Sequence, residues 1–393
     1  MTLLTAFARL PDPRIARRRR YALGDLLFIA LCAVICGANN FVEIELWAKS
    51  KQDWLQERLG LQHGIPSHDT LGRVFARLDA NIFAECFHRW TQEIATRIKG
   101  DVIAIDGKTV RHSFDLALGQ AALHLVSAWS CRHHLVLEQE AVRDKSNEIT
   151  AIPELLYRLD ISGCLITIDA MGCQKEIAEQ IHRQGGDYCL ALKANHKDLH
   201  NTVEQFFIRS RANNWKFDEG VFACPIKHRQ CQSQEKGHGR IEIRRCFVVE
   251  AATAWLTEEQ ICAWKGLSCV ACVESERTVR NKTTIERRYF LTSLSLAAKK
   301  GKSLAREILQ GVRSHWSIEN NLHWVMDVAF REDDSRVRRD NAPANLASLR
   351  RLALALVKQD TSITASLKAK RLKAGWDNDY LLALLAGQTE ENN

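Results

Sequence analysis

Asp101-Val-Ile-Ala-Ile-Asp106 and Cys164-Leu-Ile-Thr-Ile-Asp169 are the two stretches on which the fold turns. Each is a short apolar, β-branched run that ends on a carboxylate, the pattern of a strand buried on both faces. If the two strands are neighbours, both acids emerge at one edge of the sheet, where ligand sites in open sheets form. One aspartate at a strand end is unremarkable, because turns favour it. Two of them, each closing an aliphatic run, point to a shared metal site.

Working outward, Ala121–Ser130 and His134–Val142 alternate like two further strands and predict an antiparallel meander with the first. Ile149–Leu159 and Gln174–Arg183 read as helices, and Tyr188–Leu192 as a strand ending at Lys193 and Asn195. Strands, helix, strand, helix, strand predict an α/β domain, a mixed sheet with helices on its faces. Residues 215–297 read as a β-rich insertion, with β-type runs at Ile241–Val249, Ser268–Val273 and Arg288–Thr292, the polar turn Lys236-Gly-His-Gly239 and one helical piece at Thr257–Trp264. Leu304–Ala329 then reads as one long helix, with Leu304, Ile308, Ile318, Leu322, Val325 and Ala329 on its apolar face. Its polar stripe is His315, Glu319, His323 and Asp327, four residues apart. Such a stripe is ordinarily solvated, but its border residues here can face the two aspartates.

Residues 1–95 read as a helical domain: Leu23–Cys36 is apolar nearly all round, Phe41–Leu59 is amphipathic with Trp47 and Trp54, and Ser67 is placed to cap the helix that follows. The expected division is 1–95 (helical, a candidate DNA-binding unit and equally a packing or dimerisation unit), 96–214 (first part of the core), 215–297 (insertion), 298–335 (last helix of the core) and 336–393 (basic helical tail).

The formal net charge of +8 is concentrated at the two ends. Residues 1–20 hold six arginines against Asp12, and residues 331–376 hold eleven Lys/Arg against five Asp/Glu. Contact with a polyanion at both ends is the expectation, with Arg17, Arg18, Arg19 and Arg20 as a phosphate-binding arm. Leu23–Ala38 is too short to span a membrane, and Asn39-Asn40-Phe41 is a poor cleavage context, so a cytoplasmic protein is expected. The thirteen cysteines are irregularly spaced, which suits reduced thiols. Cys269-Val-Ala-Cys272 lacks a second pair, and Cys224, His228, Cys231 and His238 match no zinc spacing, so neither group is read as a metal site.

The chain resembles the insertion-sequence transposases with a DDE triad, most closely the H-repeat-associated protein type. The likeness rests on IAIDGKTVR (103–111), DKSNEI (144–149), LITIDAMGCQ (165–174), DYCLALKANH (187–196), GHGRIEIR (237–244) and RSHWSIENNLHWVMDVAFRED (313–333). NAPANLASLRRLAL (341–354), LPDPR (10–14) and GIPSHDTLGRVF (64–75) extend it over nearly the full length. The resemblance implies an RNase H-like core interrupted by a β-strand insertion, and a catalytic triad of Asp106, Asp169 and Glu319. Three carboxylates suit Mg²⁺, or Mn²⁺, paired to act on phosphodiester oxygens. The chain departs from many relatives on the last helix, where Val312, His315 and Met326 stand in place of Tyr, Arg and Lys. The DNA-end contacts of those residues are thus unassigned, and His315, Arg313, Lys108, Lys145 and Lys193 are the candidates to meet backbone phosphates. The expected partner is double-stranded DNA, element ends and target, held by at least a dimer. The expected activity is metal-dependent cleavage and strand transfer; a hydrolytic nuclease or an idle DNA-binding relative are the alternatives.

Overall fold

The computed structural model describes residues 7, 10–94, 98–114, 119, 121–142, 148–217, 225–237, 239–280, 282–296 and 304–386. Five helices open the chain: α1 (Leu23–Ile35), α2 (Phe41–Ser50), α3 (Gln52–Leu59), α4 (His68–Arg77) and α5 (Ala80–Ile94). The apolar Leu23 run is a buried helix, as its composition predicts. The amphipathic stretch 41–59 is two helices, because Lys51 leaves helical geometry at φ −112° and ψ 23°. Ser67 caps α4, its side chain accepting from the Thr70 amide at 3.3 Å.

The core strands are β1 (Val102–Thr109), β2 (His124–Ser130), β3 (Leu135–Val142), β4 (Leu165–Ile168) and β5 (Asp187–Leu192), with α6 (Glu148–Tyr157), α7 (Lys175–Arg183) and α8 (Lys197–Ala212) between and after them. Then come β6 (His228–Gly237), β7 (Arg240–Glu250), α9 (Glu258–Cys262), β8 (Cys269–Val279) and β9 (Lys282–Thr292). All nine strands form one sheet in the order β3-β2-β1-β4-β5-β9-β8-β7-β6. The β1–β4 and β4–β5 pairs are parallel and the rest antiparallel, the mixed RNase H-like arrangement that the resemblance implies. The β-rich segment is no detached lobe. It continues the core sheet through the β5–β9 pairing, Cys189 opposite Thr292 and Leu192 opposite Tyr289.

Side-chain alternation sorts the core into two layers. Ile103, Ile105, Ile166 and Ile168 face a layer with Ile152, Leu155, Ile177 and Ile181 from α6 and α7. Leu165 and Cys189 face the opposite way, against Leu304, Ile308 and Val312 of α10 (Leu304–Ile318). Gly311 lets α10 lie close to β4, since a β-carbon there would sit 2.7 Å from Leu165 Cδ2. Cys269 and Cys272 fall in different layers, since positions three apart on a strand point to opposite faces. Cys224 and His238 lie outside the described residues, while the His228 ring stacks on Trp215.

After α10 the chain makes a π-helical turn over Glu319–His323 and resumes as α11 (Trp324–Phe330). The single long helix of the sequence reading is therefore two, out of phase by one residue. Leu322, Met326 and Phe330 are the buried positions, where unbroken periodicity predicts Leu322, Val325 and Ala329. A π turn inserts one extra residue, and that slip is its signature.

The last helices are α12 (Ala342–Gln359), α13 (Leu367–Trp376) and α14 (Asn378–Ala386). Part of the expected basic tail is interior. Arg350 donates to the Asn39 carbonyl at 2.8 Å, Arg351 pairs with Glu332 at 2.7 Å with both side chains fully buried, and Arg371 donates to the Val34 carbonyl at 2.8 Å. Arg350 and Arg371 thereby hold the N-terminal helices to the C-terminal ones, and Arg351 ties α12 to the segment after α11. Among the described residues no helix is long and apolar enough to cross a membrane.

Candidate active site

Asp106 is the fifth residue of β1 and does not end it, contrary to the sequence reading. Antiparallel pairing with β2 carries β1 on to Thr109, opposite His124. On its other side the parallel partner β4 stops at Ile168, which is paired with Ile105. Asp106 and Asp169 each follow that matched pair by one residue, so the acids leave neighbouring strands at the same level. Asp169 then turns the chain, its Oδ1 accepting from the Met171 amide at 3.0 Å.

α10 crosses this edge and brings its polar stripe over the acids. His315 Nδ1 lies 3.1 Å from Thr167 Oγ1, one pleat back from Asp169. His323 Nε2 lies 3.2 Å from Asp106 Oδ2, and the His323 ring nitrogens are buried without a well-aligned hydrogen-bond partner. Burial pushes the Asp106 carboxyl up, but the close contact with His323, helped by His315, outweighs it and holds the pKa below the usual value. Burial lowers the His315 pKa despite the nearby Asp106 and Asp169, which favours a neutral ring. Glu319, at the start of the π turn, is raised by burial and by the Asp106 charge, with His323 and Arg288 acting against the rise.

The three predicted acids thus share one region, but not one cage. Among the described residues no three His, Cys, Asp or Glu side chains converge as a ready-made metal site. The donor set still fits Mg²⁺, which is commonly held by one or two carboxylates together with waters and substrate phosphates. An acidic pair whose one member is kept ionised by a buried imidazole is suited to that partial ligation.

The predicted phosphate contacts divide. Lys108 follows Asp106 on the same face of β1, yet it is buried and turned inward, pairing with Asp327, with Glu332 at 3.4 Å and with Asp333 at 3.8 Å. In this arrangement its charge is taken up within the protein. Arg313 pairs with Glu235 of β6, and His315 faces the acids. Lys193 is exposed just after β5, and Lys145 lies outside the described residues. In the arm, Arg17 and Arg20 are exposed, Arg19 is drawn to Asp12 at 3.3 Å, and the Arg18 side chain lies outside the described residues. Sequence reasoning placed His323 on the stripe but gave it no role. Its contact with Asp106 depends on the π turn, which no spacing rule reveals.

Asp106 and Asp169 thus lie level on two neighbouring parallel strands of the mixed sheet, and the helix that crosses them leads into the π turn of Glu319. The chain belongs to the transposase DDE domain family, whose model matches residues 97–356; a model described as DDE_Tnp_1-associated matches residues 4–91. It is 38% identical over 389 residues to the "H repeat-associated putative transposase YhhI" of Escherichia coli (strain K12), covering 98% of each chain. It is 38% identical over 392 residues to the "Putative transposase YncI" of Escherichia coli O157:H7, covering 99% of this chain and 95% of that one. Among solved structures, a piggyBac transposase synaptic complex with hairpin DNA aligns over 99% of this chain and 80% of that one, at 10% identity and a TM-score of 0.45.

Proposed function

We propose that this protein is a DNA transposase that cuts DNA at element ends and joins the freed 3′-hydroxyl to target DNA. The observation that carries this reading is the level register of Asp106 and Asp169 on adjacent parallel strands, beneath the helix that supplies Glu319. In the first step water attacks the phosphorus and the 3′-oxygen leaves with a proton, giving a 3′-hydroxyl and a 5′-phosphate. In the second step that hydroxyl attacks a target phosphodiester, forming one ester bond and releasing one target 3′-hydroxyl, so no energy source is needed. Asp106, Asp169 and Glu319 would hold Mg²⁺ or Mn²⁺, which when bound activates the attacking oxygen and stabilises the leaving one. His323 keeps Asp106 ionised, and His315, anchored to Thr167, keeps a neutral ring beside both aspartates. The helical unit of residues 1–95 and its arginine arm hold the duplex, and joining two ends requires two copies of the chain.

The test incubates the full chain with duplexes bearing its terminal repeats and Mg²⁺ or Mn²⁺. Joined products are expected; nicks alone would make it a nuclease, and a mobility shift without cleavage an idle binder. Asp106→Asn, Asp169→Asn and Glu319→Gln should each abolish cleavage and leave duplex affinity largely intact. Normal cleavage by any one of them removes that residue from the metal site.

A further inference from the structure

A cleft of about 740 Å³ lies beside the catalytic region, between the N-terminal helices and the segment that follows α11. One wall is the start of α2 and the first turns of α4, with Arg73; the other is residues 331–342. Five arginines line it, Arg73, Arg331, Arg336, Arg338 and Arg339, against the three carboxylates of Glu43, Asp69 and Asp334. One of those carboxylates is hydrogen-bonded by a neutral amide and one is paired with an arginine. Glu43 accepts from the Asn39 amide at 2.7 Å, and Asp334 accepts from Arg331 at 3.0 Å. Among the described residues Arg73 donates only to the Asp69 backbone carbonyl, and Arg338 to the His112 carbonyl while lying over the Phe114 ring. Arg336 and Arg339 are exposed; Arg336 has no partner among the described residues, and Arg339 has only the exposed Asp340 at 3.7 Å. The cleft therefore holds five guanidiniums against three carboxylates, a net positive lining in which Arg336 is unpaired among the described residues.

Its walls are also fixed. Asn341 and Asn345 donate to the Leu78 carbonyl at 3.0 Å each, tying α12 to the end of α4. Lys108, two residues beyond Asp106, pairs with Glu332 and Asp333 at the head of the arginine segment. Whatever the cleft holds is held in a set relation to Asp106.

We infer that this cleft grips the backbone phosphates of the DNA duplex next to the scissile bond, through Arg73, Arg336 and Arg339. The inference rests on the transposase reading, which supplies the polyanion; charge and the link to β1 supply the place. Guanidiniums suit it because they bind phosphate oxygens with paired N–H donors. The buried Lys108 network thus contributes by placing the grip and not by touching DNA.

The test measures anisotropy of a short fluorescent duplex with the full chain across a range of salt. Each lost phosphate contact should lower the slope of log affinity against log salt by about 1. R336A/R339A should therefore lose about 2 from the slope and bind markedly more weakly at low salt, with unchanged circular dichroism and melting. R336K/R339K should keep the slope. If the wild type binds and R336A/R339A matches it, the cleft is not the grip, while the transposase reading stands. If R336K/R339K loses as much as the alanine pair, the phosphate role is overturned. If the wild type binds no duplex at all, both readings fall together.

Discussion

His323 Nε2 lies 3.2 Å from Asp106 Oδ2, joining the π turn that carries Glu319 to the strand that carries the first acid. Burial would raise the Asp106 carboxyl, and the imidazole is the main influence that lowers it. In His323→Asn the opposing charge is gone, so the Asp106 pKa should rise. In the proposed reaction Asp106 acts as a carboxylate, so the acid limb of the pH–rate profile for DNA cleavage should move to higher pH. A tenfold to hundredfold loss of rate at neutral pH is expected for an outer-shell group of this kind. A profile superimposable on the wild type would show that His323 does not tune Asp106.

The π turn itself can be removed. It adds one residue to an otherwise helical path, so deleting Asn320, which is exposed, lets α10 and α11 join as one helix with both flanks in place. Met326 and Phe330 would remain in the core, and stability should stay within about 1 kcal/mol of wild type. The path through Glu319 to His323 would shift by an ångström or more, and misplacement on that scale can lower a rate about a hundredfold. A stable deletion that cleaves at the wild-type rate would deprive the turn of any functional role.

These two cases show which part of the molecule was legible beforehand. The strands of Asp106 and Asp169 could be read because buried parallel strands are short, continuous and aliphatic. Glu319 could be assigned through its helix and the family likeness. The phase slip after Ile318 could not, since helical periodicity assumes 3.6 residues per turn throughout. The same blindness made Arg350 and Arg351 look like a basic surface, when each is buried by a partner hundreds of residues away or by Glu332. α8 and β6 were missed because their sequences are polar: β6 is mostly exposed, and α8 buries only a narrow stripe of Leu199, Val203, Phe206 and Phe207. Lys108 was read as a DNA contact because charge beside an acid is visible in sequence, and three later carboxylates turning back onto it are not.

Glu332 gives the pH dependence of stability. It is fully buried, and burial alone would raise its pKa, but Arg351 and Lys108 pull it down from 4.5 to about 2. The unfolded chain therefore binds this proton more tightly than the folded one. The stabilisation is complete above about pH 4.5 and drains away as the pH falls toward 2, on the order of 3 kcal/mol in all. Glu332→Gln should be less stable at neutral pH, because it leaves the buried Arg351 without its carboxylate. It should also lose stability less steeply on acidification. Equal slopes for the two proteins between pH 5 and 3, measured by urea unfolding, would contradict the assignment.

Gly107, next to Asp106, is a matter of space and not of backbone angle. A β-carbon there would lie 2.5 Å from Glu148 Oε1 and 2.5 Å from His124 Nε2. Those two atoms are 2.6 Å apart in a buried pair, with His124 Nδ1 2.8 Å from Thr109 Oγ1. Gly107→Ala should therefore separate the pair, and a buried partner left alone costs about 3 kcal/mol. The loss should depend on the pair. In a His124→Gln background, where the pair is already broken, the same substitution should cost clearly less than in the wild type. The four melting curves of that cycle decide it: additive losses would mean that Gly107 is needed for some reason other than the His124–Glu148 contact.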